Sequence, residues 1–360
     1  MDTVKQIVSF INKAKYNRIL LVTGKNSFVN TGLSKKFEKI DCFDSFVQFN
    51  DFSENPKIED LKKGINSFNK NRCEAVVAVG GGSVLDMGKL IAFFNKIEES
   101  DINSLVEFSK NKVRKTPLAC IPTTAGSGAE ATHFAVLFSD GIKHSISNTS
   151  LYPDKIILDH TLSMKCSSRQ KAISGLDALS QGIESFWAKN ATKESKDFAI
   201  KSIKLIWENL ADSVLNNSLS AHKKVFEGSH LAGKAINISK TTAPHALSYF
   251  FTQKHNIKHG HAVFLTLSKI YYLNRCNALK SKDSKYGEIF LILDGILGIE
   301  NNPEEAFKNF LDKIKVEIDL KKLGIDIKQE IDQIKLEVNK ERFKNNPFSL
   351  DIDEIFNTKF

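Results

Sequence analysis

Residues 75–83 read AVVAVGGGS. The first five are small and apolar, and three are β-branched, which is typical of a strand buried on both faces of a parallel sheet. Three glycines and a serine follow, and residues 84–94 then read as a helix. Such a turn lets the backbone N–H groups at the helix N-terminus approach a phosphate. The stretch predicts a nucleotide-binding α/β domain, although a glycine triplet can also be only a tight turn.

A second glycine-rich loop supports the first. Residues 122–128 read PTTAGSG and follow the apolar run 118–122. Neither loop is a GxGxxG fingerprint or a P-loop. Ligands of open parallel sheets bind beyond the carboxyl ends of the strands. Two such loops therefore predict one long ligand, such as a dinucleotide.

The elements around these loops predict the domain organisation. Apolar runs at 19–22 and 43–49 alternate with helical stretches, which indicates a mostly parallel sheet covered by helices. After Leu158 strand patterns nearly vanish. The later helical stretches are 174–188, 195–217, 223–238, 261–279, 303–310 and 327–340. We expect an α/β dinucleotide-binding domain over 1–158 and a helical metal- and substrate-binding domain over 159–360.

Composition narrows the class of protein. The chain is 41% hydrophobic and 26% charged, as in an ordinary globular protein. It has no apolar run of the ~20 residues that a membrane helix needs, and its start lacks the apolar segment of a signal peptide. Five scattered cysteines without a CxxC motif favour a reducing, cytoplasmic setting. The net charge of +9 suits an anionic metabolite, and no nucleic-acid-binding motif accompanies it.

Two histidines are the candidate metal ligands. His245 and His259 lie 14 residues apart, so one helix face cannot present both. We expect them on a helix and on the loop or turn after it. Histidine is the commonest protein metal ligand, but a pair alone is weak evidence without partners elsewhere in the chain.

Four motifs together resemble the iron-containing (group III) alcohol dehydrogenases. Residues 80–89 (GGGSVLDMGK) resemble their GGGSxxDxxK signature, and 122–132 (PTTAGSGAEAT) resemble their PTTAGTGSExT loop. Residues 153–159 (PDKIILD) and 175–179 (GLDAL) also fit. The resemblance implies a dehydroquinate synthase-like fold, with a Rossmann-like parallel-sheet α/β domain followed by an all-α domain. Within the family, residues 177–187, 233–249 and 345–347 are most similar to phosphonoacetaldehyde reductases.

The resemblance implies a divalent metal, Fe²⁺ or Zn²⁺. Asp177, His245 and His259 fall on family ligand positions, but Gln181 stands where the family has another His. Three arrangements remain open. The three residues can hold the metal alone, Gln181 can add a weak bond from the same helix face as Asp177, or the site can be metal-free. Asp177 can also be only a helix N-cap near Gly175.

The resemblance also implies NADPH or NADH as cofactor. The implied binding residues follow three strands: Gly24, Lys25, Ser27, Gly81, Gly82, Ser83, Asp86, Thr123, Thr124 and Ser127. NAD-preferring relatives often carry Asp at the position of Gly24, where a carboxylate would repel a 2′-phosphate. Gly24 and Lys25 therefore favour NADPH, unless Lys25 is only one of many surface lysines.

The implied activity is reduction of a small anionic aldehyde, most specifically phosphonoacetaldehyde to 2-hydroxyethylphosphonate. Tyr249 stands where many members have a His near the nicotinamide, and its high reference pKa makes it a poorer proton relay. His261 can replace it or simply pack on the next helix turn. Lys240 and His133 are the candidate phosphonate ligands, although Lys240 can equally be a solvated lysine at a helix end.

Other functions remain open at this stage. They are a dehydrogenase of another small primary alcohol or diol, a dehydroquinate-synthase-like cyclase, and a catalytically silent binding protein. The expected partners are the small substrate and a second copy of the chain in a homodimer, with no nucleic acid and no membrane.

Overall fold

The computed structural model describes residues 2–39, 46–96, 101–281 and 284–358. The chain divides into two compact units, residues 1–165 and 166–360. The sequence pattern puts the boundary after Leu158. The short helix beyond it belongs to the first unit because Asp159 caps that helix and also accepts a 2.6 Å hydrogen bond from Thr3 near the N-terminus.

The first unit contains the strands and seven helices of the described residues. The strands are β1 Ile19–Thr23, β2 Phe46–Phe49, β3 Ala75–Gly80, β4 Leu118–Pro122, β5 Phe134–Ser139, β6 Ile142–Ser147 and β7 Lys155–Ile156. The helices are α1 Thr3–Ala14, α2 Ser27–Thr31, α3 Leu33–Phe37, α4 Ile58–Lys70, α5 Gly82–Phe94, α6 Ile102–Ser109 and α7 His160–Ser163. Residues 43–45 of the predicted second strand lie outside the described residues.

Five strands form a parallel sheet in the order β2-β1-β3-β4-β7. Strands β1, β3 and β4 are fully buried, and their alternate side chains enter two separate apolar cores, one on each face of the sheet. This explains the continuous apolar runs in the sequence. The register pairs Thr23 with Val79 and Gly80 with Pro122, so the three carboxyl ends meet at one edge.

An antiparallel hairpin, β5–β6, was not predicted from the sequence. Its turn consists of Asp140 and Gly141, both with positive φ (51° and 75°). Positive φ at both central residues is the geometry of the type I′ turn, for which Asp-Gly is a strong signal. Lys89 of α5 is fully buried and donates to the Thr132 and Phe134 carbonyls at 2.8 and 3.0 Å, which fixes the start of the hairpin.

The second unit is helical. Its helices are α8 Ser168–Trp187, α9 Lys193–Leu215, α10 Leu219–Ser239, α11 Ala243–Lys254, α12 His259–Lys280, α13 Ser284–Leu297, α14 Pro303–Ile314, α15 Ile327–Glu337, α16 Lys340–Lys344 and α17 Ile352–Asn357. Helix α8 is buried from Lys171 to Trp187 and packs against α9, α10 and α12. It begins before the predicted Ser174 because Ser167 caps it, so Asp177 is not an N-cap but lies inside the helix.

Two smaller findings complete the fold. Among the described residues, no helix combines the length and the apolarity needed to cross a lipid bilayer. Cys73, Cys120, Cys166 and Cys276 are free thiols, and Cys42 lies outside the described residues.

Candidate active site

A polar stripe runs along the buried helix α8. Asp177, Gln181 and Glu184 occupy positions i, i+4 and i+7, which share one helix face. Their exposures are only 7%, 4% and 0%. Buried charged groups need partners, because an uncompensated charge in the interior costs several kcal/mol. The stripe therefore predicts polar or cationic groups facing it.

Two histidines face this stripe from the starts of consecutive helices. His245 lies in the first turn of α11, and His259 is the first residue of α12, not a loop residue. Their ring centroids are 5.4 Å apart. One ligand atom from each of Asp177, His245 and His259 lies within 4.8 Å of the others. Three predicted ligand positions thus meet at one point.

Gly260 makes this meeting possible. A Cβ atom added at Gly260 would lie 2.2 Å from the carbonyl oxygen of Ile173 and 2.8 Å from the Cβ of Asp177. The backbone of α12 therefore touches the backbone of α8 beside its first residue. This close approach is what brings His259 to Asp177.

Glu184, to which the sequence reasoning gave no role, fixes the orientation of His245. One carboxylate oxygen of Glu184 takes a short hydrogen bond with Nδ1 of His245. The other accepts from the backbone N and the hydroxyl of Thr242, at 2.6 and 3.0 Å. The i+7 spacing from Asp177 was the signal in the sequence. With Nδ1 occupied, Nε2 of His245 faces Asp177.

Ser248 plays a similar part for His259. Its hydroxyl donates a 2.9 Å hydrogen bond to the backbone carbonyl of His245. Its oxygen lies 3.5 Å from Nδ1 of His259, so it can accept a long hydrogen bond from that nitrogen when it carries a proton. A carbonyl or carboxylate partner on the far ring nitrogen is the usual device for orienting a metal-binding histidine.

The donor set fits a divalent cation. Oδ1 of Asp177 is buried and accepts no hydrogen bond within the described part of the chain. It lies 3.4 Å from Nε2 of His245, without the alignment of a hydrogen bond. One carboxylate and two imidazoles form a common site for zinc or iron. A cation at this point would satisfy the Asp177 oxygen.

In the absence of a cation, a proton on His245 offsets part of the charge of the buried Asp177 and Glu184 carboxylates. Burial works to lower the pKa of His245, but the carboxylates of Glu184 and Asp177 outweigh it and raise the pKa to about 9. Burial works to raise the pKa of Asp177, but His245, His259 and Gln181 outweigh it and hold it below its ordinary value. Gln181 thus favours the charged form of the Asp177 carboxylate from the same face of α8.

The structure brings one of the two predicted proton relays to the cluster. The Tyr249 ring lies parallel to the His259 ring, with an interplanar angle of 9° and centroids 5.9 Å apart. His261 is buried elsewhere, and its Nε2 lies 2.5 Å from the backbone carbonyl oxygen of Glu317. Burial is the main cause that lowers the pKa of His261. Two residues along a helix turn a side chain by about 200°, which explains the divergence of His259 and His261.

The predicted phosphonate ligands lie in different units. His133 precedes β5 in the first unit, and its ring packs edge-on against Phe134. Lys240 follows the last residue of α10 and has a positive φ of 63°. It is half-buried rather than solvated, and burial is the main cause that lowers its pKa.

The two glycine-rich loops of the first unit lie against each other. A Cβ atom at Gly82 would lie 2.8 Å from the Ser127 hydroxyl, and one at Gly81 would lie 3.4 Å from Thr124. The N–H of Thr123 donates to the Gly80 carbonyl at 2.9 Å. A larger residue at position 82, where helix α5 begins, would have to displace the Ser127 side chain. The paired loops leave the N-terminus of α5 at the sheet edge where a phosphate would bind.

The remaining cofactor candidates have defined neighbours. At Gly24, a Cβ atom would lie 2.2 Å from the Ser27 hydroxyl. Lys25 is exposed and lies 3.6 Å from the Asp51 carboxylate, beyond the end of β2. The Ser83 hydroxyl accepts from the backbone N of residue 55 at 3.2 Å.

Asp86 is turned into the protein. Its carboxylate accepts a 3.0 Å hydrogen bond from the backbone N of Val136 in the hairpin. Burial is the main cause that raises its pKa, opposed by Lys89. This placement gives Asp86 a contact that holds α5 to the hairpin.

Comparison with known proteins gives the same family in both halves of the chain. The model of the iron-containing alcohol dehydrogenase family matches residues 1–160. The model of the C-terminal part of the Fe-containing alcohol dehydrogenases matches residues 171–358. A probable alcohol dehydrogenase, EutG of Escherichia coli (strain K12), is 33% identical over 223 residues, which cover 61% of this chain and 56% of that protein. The chain spans about half the length of the first curated relatives it matches.

Solved structures match over nearly the whole chain. A sulfoacetaldehyde reductase from Bifidobacterium kashiwanohense in complex with NAD⁺ is 28% identical, with a TM-score of 0.84 and coverage of 97% of this chain and 92% of that one. An iron-containing alcohol dehydrogenase from Thermotoga maritima is 26% identical, with a TM-score of 0.81 and coverage of 98% and 93%.

Proposed function

This chain belongs to the iron-containing alcohol dehydrogenase family, and from that premise we propose that it is an NAD(P)H-dependent reductase of a small aldehyde carrying an anionic group. The observation that carries the proposal is the buried cluster of Asp177, His245 and His259. The reaction transfers a hydride from C4 of the nicotinamide to the carbonyl carbon and a proton to the carbonyl oxygen, giving the alcohol and NAD(P)⁺.

Each residue of the cluster has a defined task in this proposal. Asp177, His245 and His259 would hold a divalent metal, which supplies Lewis-acid polarisation of the carbonyl. Glu184 holds the His245 ring with Nδ1 occupied and Nε2 facing Asp177, and the Ser248 hydroxyl lies 3.5 Å from Nδ1 of His259. We assign the proton route to Tyr249, whose ring lies against His259.

The cofactor is proposed to bind at the paired glycine-rich loops. The N-terminus of α5 supplies N–H groups for the pyrophosphate, and Gly82 lets it come close. Gly24 offers no carboxylate to repel a 2′-phosphate, and Lys25 offers a positive charge, which together favour NADPH over NADH. The Asp51 carboxylate beside Lys25 works in the opposite direction. Parallel assays with NADPH and NADH decide between them.

For the substrate we propose phosphonoacetaldehyde, reduced to 2-hydroxyethylphosphonate. Two observations support an anionic aldehyde. The first is the likeness to a sulfoacetaldehyde reductase over 97% of this chain. The second is the half-buried Lys240, which lies three residues before Ala243, where α11, the helix that carries His245, begins. Lys240 would donate to the phosphonate as a point charge.

The test is steady-state kinetics of the metal-loaded enzyme on phosphonoacetaldehyde, sulfoacetaldehyde, propanal and lactaldehyde. We expect kcat/KM to be highest for phosphonoacetaldehyde. A higher value for sulfoacetaldehyde would keep the anionic class and change the substrate. Equal values for the uncharged aldehydes would refute the proposal.

A further inference from the structure

The guanidinium group of Arg342 lies beside the Tyr249 ring. Arg342 belongs to the short helix α16, far from Tyr249 along the chain. The central carbon of its guanidinium group is 5.8 Å from the centroid of the Tyr249 ring. The same Tyr249 ring lies parallel to His259 at 5.9 Å. One aromatic ring therefore contacts both a candidate metal ligand and a guanidinium group.

Arg342 is held in place by neutral groups. Its Nη1 donates to the hydroxyl of Thr241, and its backbone N donates to the Asn339 side chain at 3.0 Å. Within the described part of the chain, no carboxylate forms an ion pair with it. A half-buried guanidinium group without a carboxylate keeps several N–H donors for an anion.

Lys240 adds a positive charge at the same place. After burial, the charge of Arg342 is the next cause that lowers the pKa of Lys240, while the exposed Glu341 opposes it. Two neighbouring cations together attract an anion more strongly than either of them does alone. This arrangement is typical of a site for an oxyanion.

The backbone around Lys240 is fixed to the helix that carries Arg342. The side-chain amide of Asn345, the residue that ends α16, donates to the carbonyl oxygens of Ser239 and Thr241 at 2.9 and 3.0 Å. These two carbonyls flank Lys240, whose positive φ would otherwise be strained. These two hydrogen bonds connect the backbone on either side of Lys240 to the end of α16.

We propose that Arg342, together with Lys240, forms the subsite for the anionic group of the substrate aldehyde, and that this group is a phosphonate or sulfonate. The inference rests on the proposed function. A guanidinium group presents a planar fork that binds two oxygens of one anion, whereas an uncharged aldehyde offers it nothing. Arg342 would thus select the substrate by binding its anionic group, whereas the Asp177–His245–His259 cluster would serve the reacting carbonyl group.

The experiment compares an anionic with a neutral aldehyde in matched variants of the metal-loaded enzyme. In Arg342→Gln we expect kcat/KM for phosphonoacetaldehyde and sulfoacetaldehyde to fall about 10- to 100-fold relative to kcat/KM for propanal, which corresponds to the loss of a charged hydrogen bond to the anionic group. Arg342→Lys should restore part of the loss. Lys344→Gln removes a positive charge from the same helix and should leave the preference unchanged.

The outcomes separate the two proposals. A wild-type enzyme with no preference for anionic aldehydes overturns both the proposed function and this inference. A wild-type preference that Arg342→Gln leaves intact overturns the inference alone. An equal loss on propanal assigns Arg342 a structural role and also overturns it. Calorimetric binding of 2-hydroxyethylphosphonate gives the same comparison without turnover, and R342Q should weaken it by a similar factor.

Discussion

Replacing Glu184 by Gln tests the tautomer argument at the metal cluster. The carboxylate accepts three hydrogen bonds, one from Nδ1 of His245 and two from Thr242. The Thr242 hydroxyl itself accepts a 2.9 Å bond from the indole N–H of Trp187, so its own proton points to Glu184. All neighbours of this carboxylate are thus donors, and only a group with two acceptor oxygens satisfies them.

Glutamine has the same shape but only one acceptor oxygen. If that oxygen stays with Thr242, the amide NH₂ faces Nδ1 of His245 and forces the proton onto Nε2, the nitrogen needed by the metal. If the oxygen turns to His245, the NH₂ meets the Thr242 N–H. Loss of a carboxylate that hydrogen-bonds a metal-binding histidine typically weakens metal binding about 10- to 100-fold, which corresponds to about 1.4 to 2.7 kcal/mol.

The assay is the affinity of the metal-free protein for Zn²⁺, measured by competition with a chelator at fixed pH. Glu330→Gln is the matched control, because Glu330 pairs with Nε2 of His255 at 2.7 Å in the same unit but outside the cluster. Circular dichroism and thermal melting show whether each variant is folded. If folded Glu184→Gln binds Zn²⁺ within about twofold of the wild type, or if Glu330→Gln loses as much Zn²⁺ affinity as Glu184→Gln, then Glu184 does not support metal binding by fixing the His245 tautomer.

Three further predictions concern other parts of the chain. Gly260→Ala should lower the free energy of unfolding by about 1–3 kcal/mol, because its Cβ overlaps the backbone of α8, and should weaken Zn²⁺ binding; an unchanged melting curve and affinity would contradict this. Cys73 and Cys120 should resist iodoacetamide in the native protein at pH 8, because burial raises their pKa to about 11 and about 12; mass spectrometry of the labelled native protein checks it. Burial works to raise the pKa of Asp159, but hydrogen bonds from Thr161 and Thr3 lower it, so its stabilising effect is present at neutral pH and is lost as the pH falls through the folded value. In Asp159→Asn the free energy of unfolding should therefore fall less steeply as the pH is lowered below neutrality. An unchanged pH dependence would contradict a stabilising role of the Asp159 carboxylate.

The sheet and its loops could be predicted because their signals are local. A buried strand followed by glycines and a helix occurs within residues 75–94, and the structure forms β3 and α5 there. The hairpin β5–β6 also had a local signal in Asp140-Gly141, which the sequence reasoning overlooked. The start of α8 was missed because its first turn, SRQK, is polar and its cap, Ser167, is a common residue.

The candidate site could be predicted only where spacing or family motifs indicated it. Asp177, His245 and His259 meet as a cluster in the structure. Glu184 was missed because a glutamate in a helix usually faces solvent, and its i+7 spacing from Asp177 gains meaning only once its burial is known. Arg342 was missed for a different reason: its contact with Tyr249 joins distant parts of the chain, and no periodicity or motif links them.

Charge balance connects the features that the sequence did not reveal. Asp177 and Glu184 are buried beside two imidazoles, and a divalent cation would offset carboxylate charge that the proton on His245 otherwise offsets. Beside the Tyr249 ring, Arg342 supplies a positive charge whose hydrogen-bond partners Thr241 and Asn339 are neutral. Lys240 adds a second positive charge near it, opposed in part by Glu341. An aldehyde with an anionic tail matches this division, since its carbonyl suits a cationic centre and its tail suits the two basic side chains. A neutral aldehyde offers no charge to the Arg342 guanidinium group, and this difference is the physical basis for the preference proposed above.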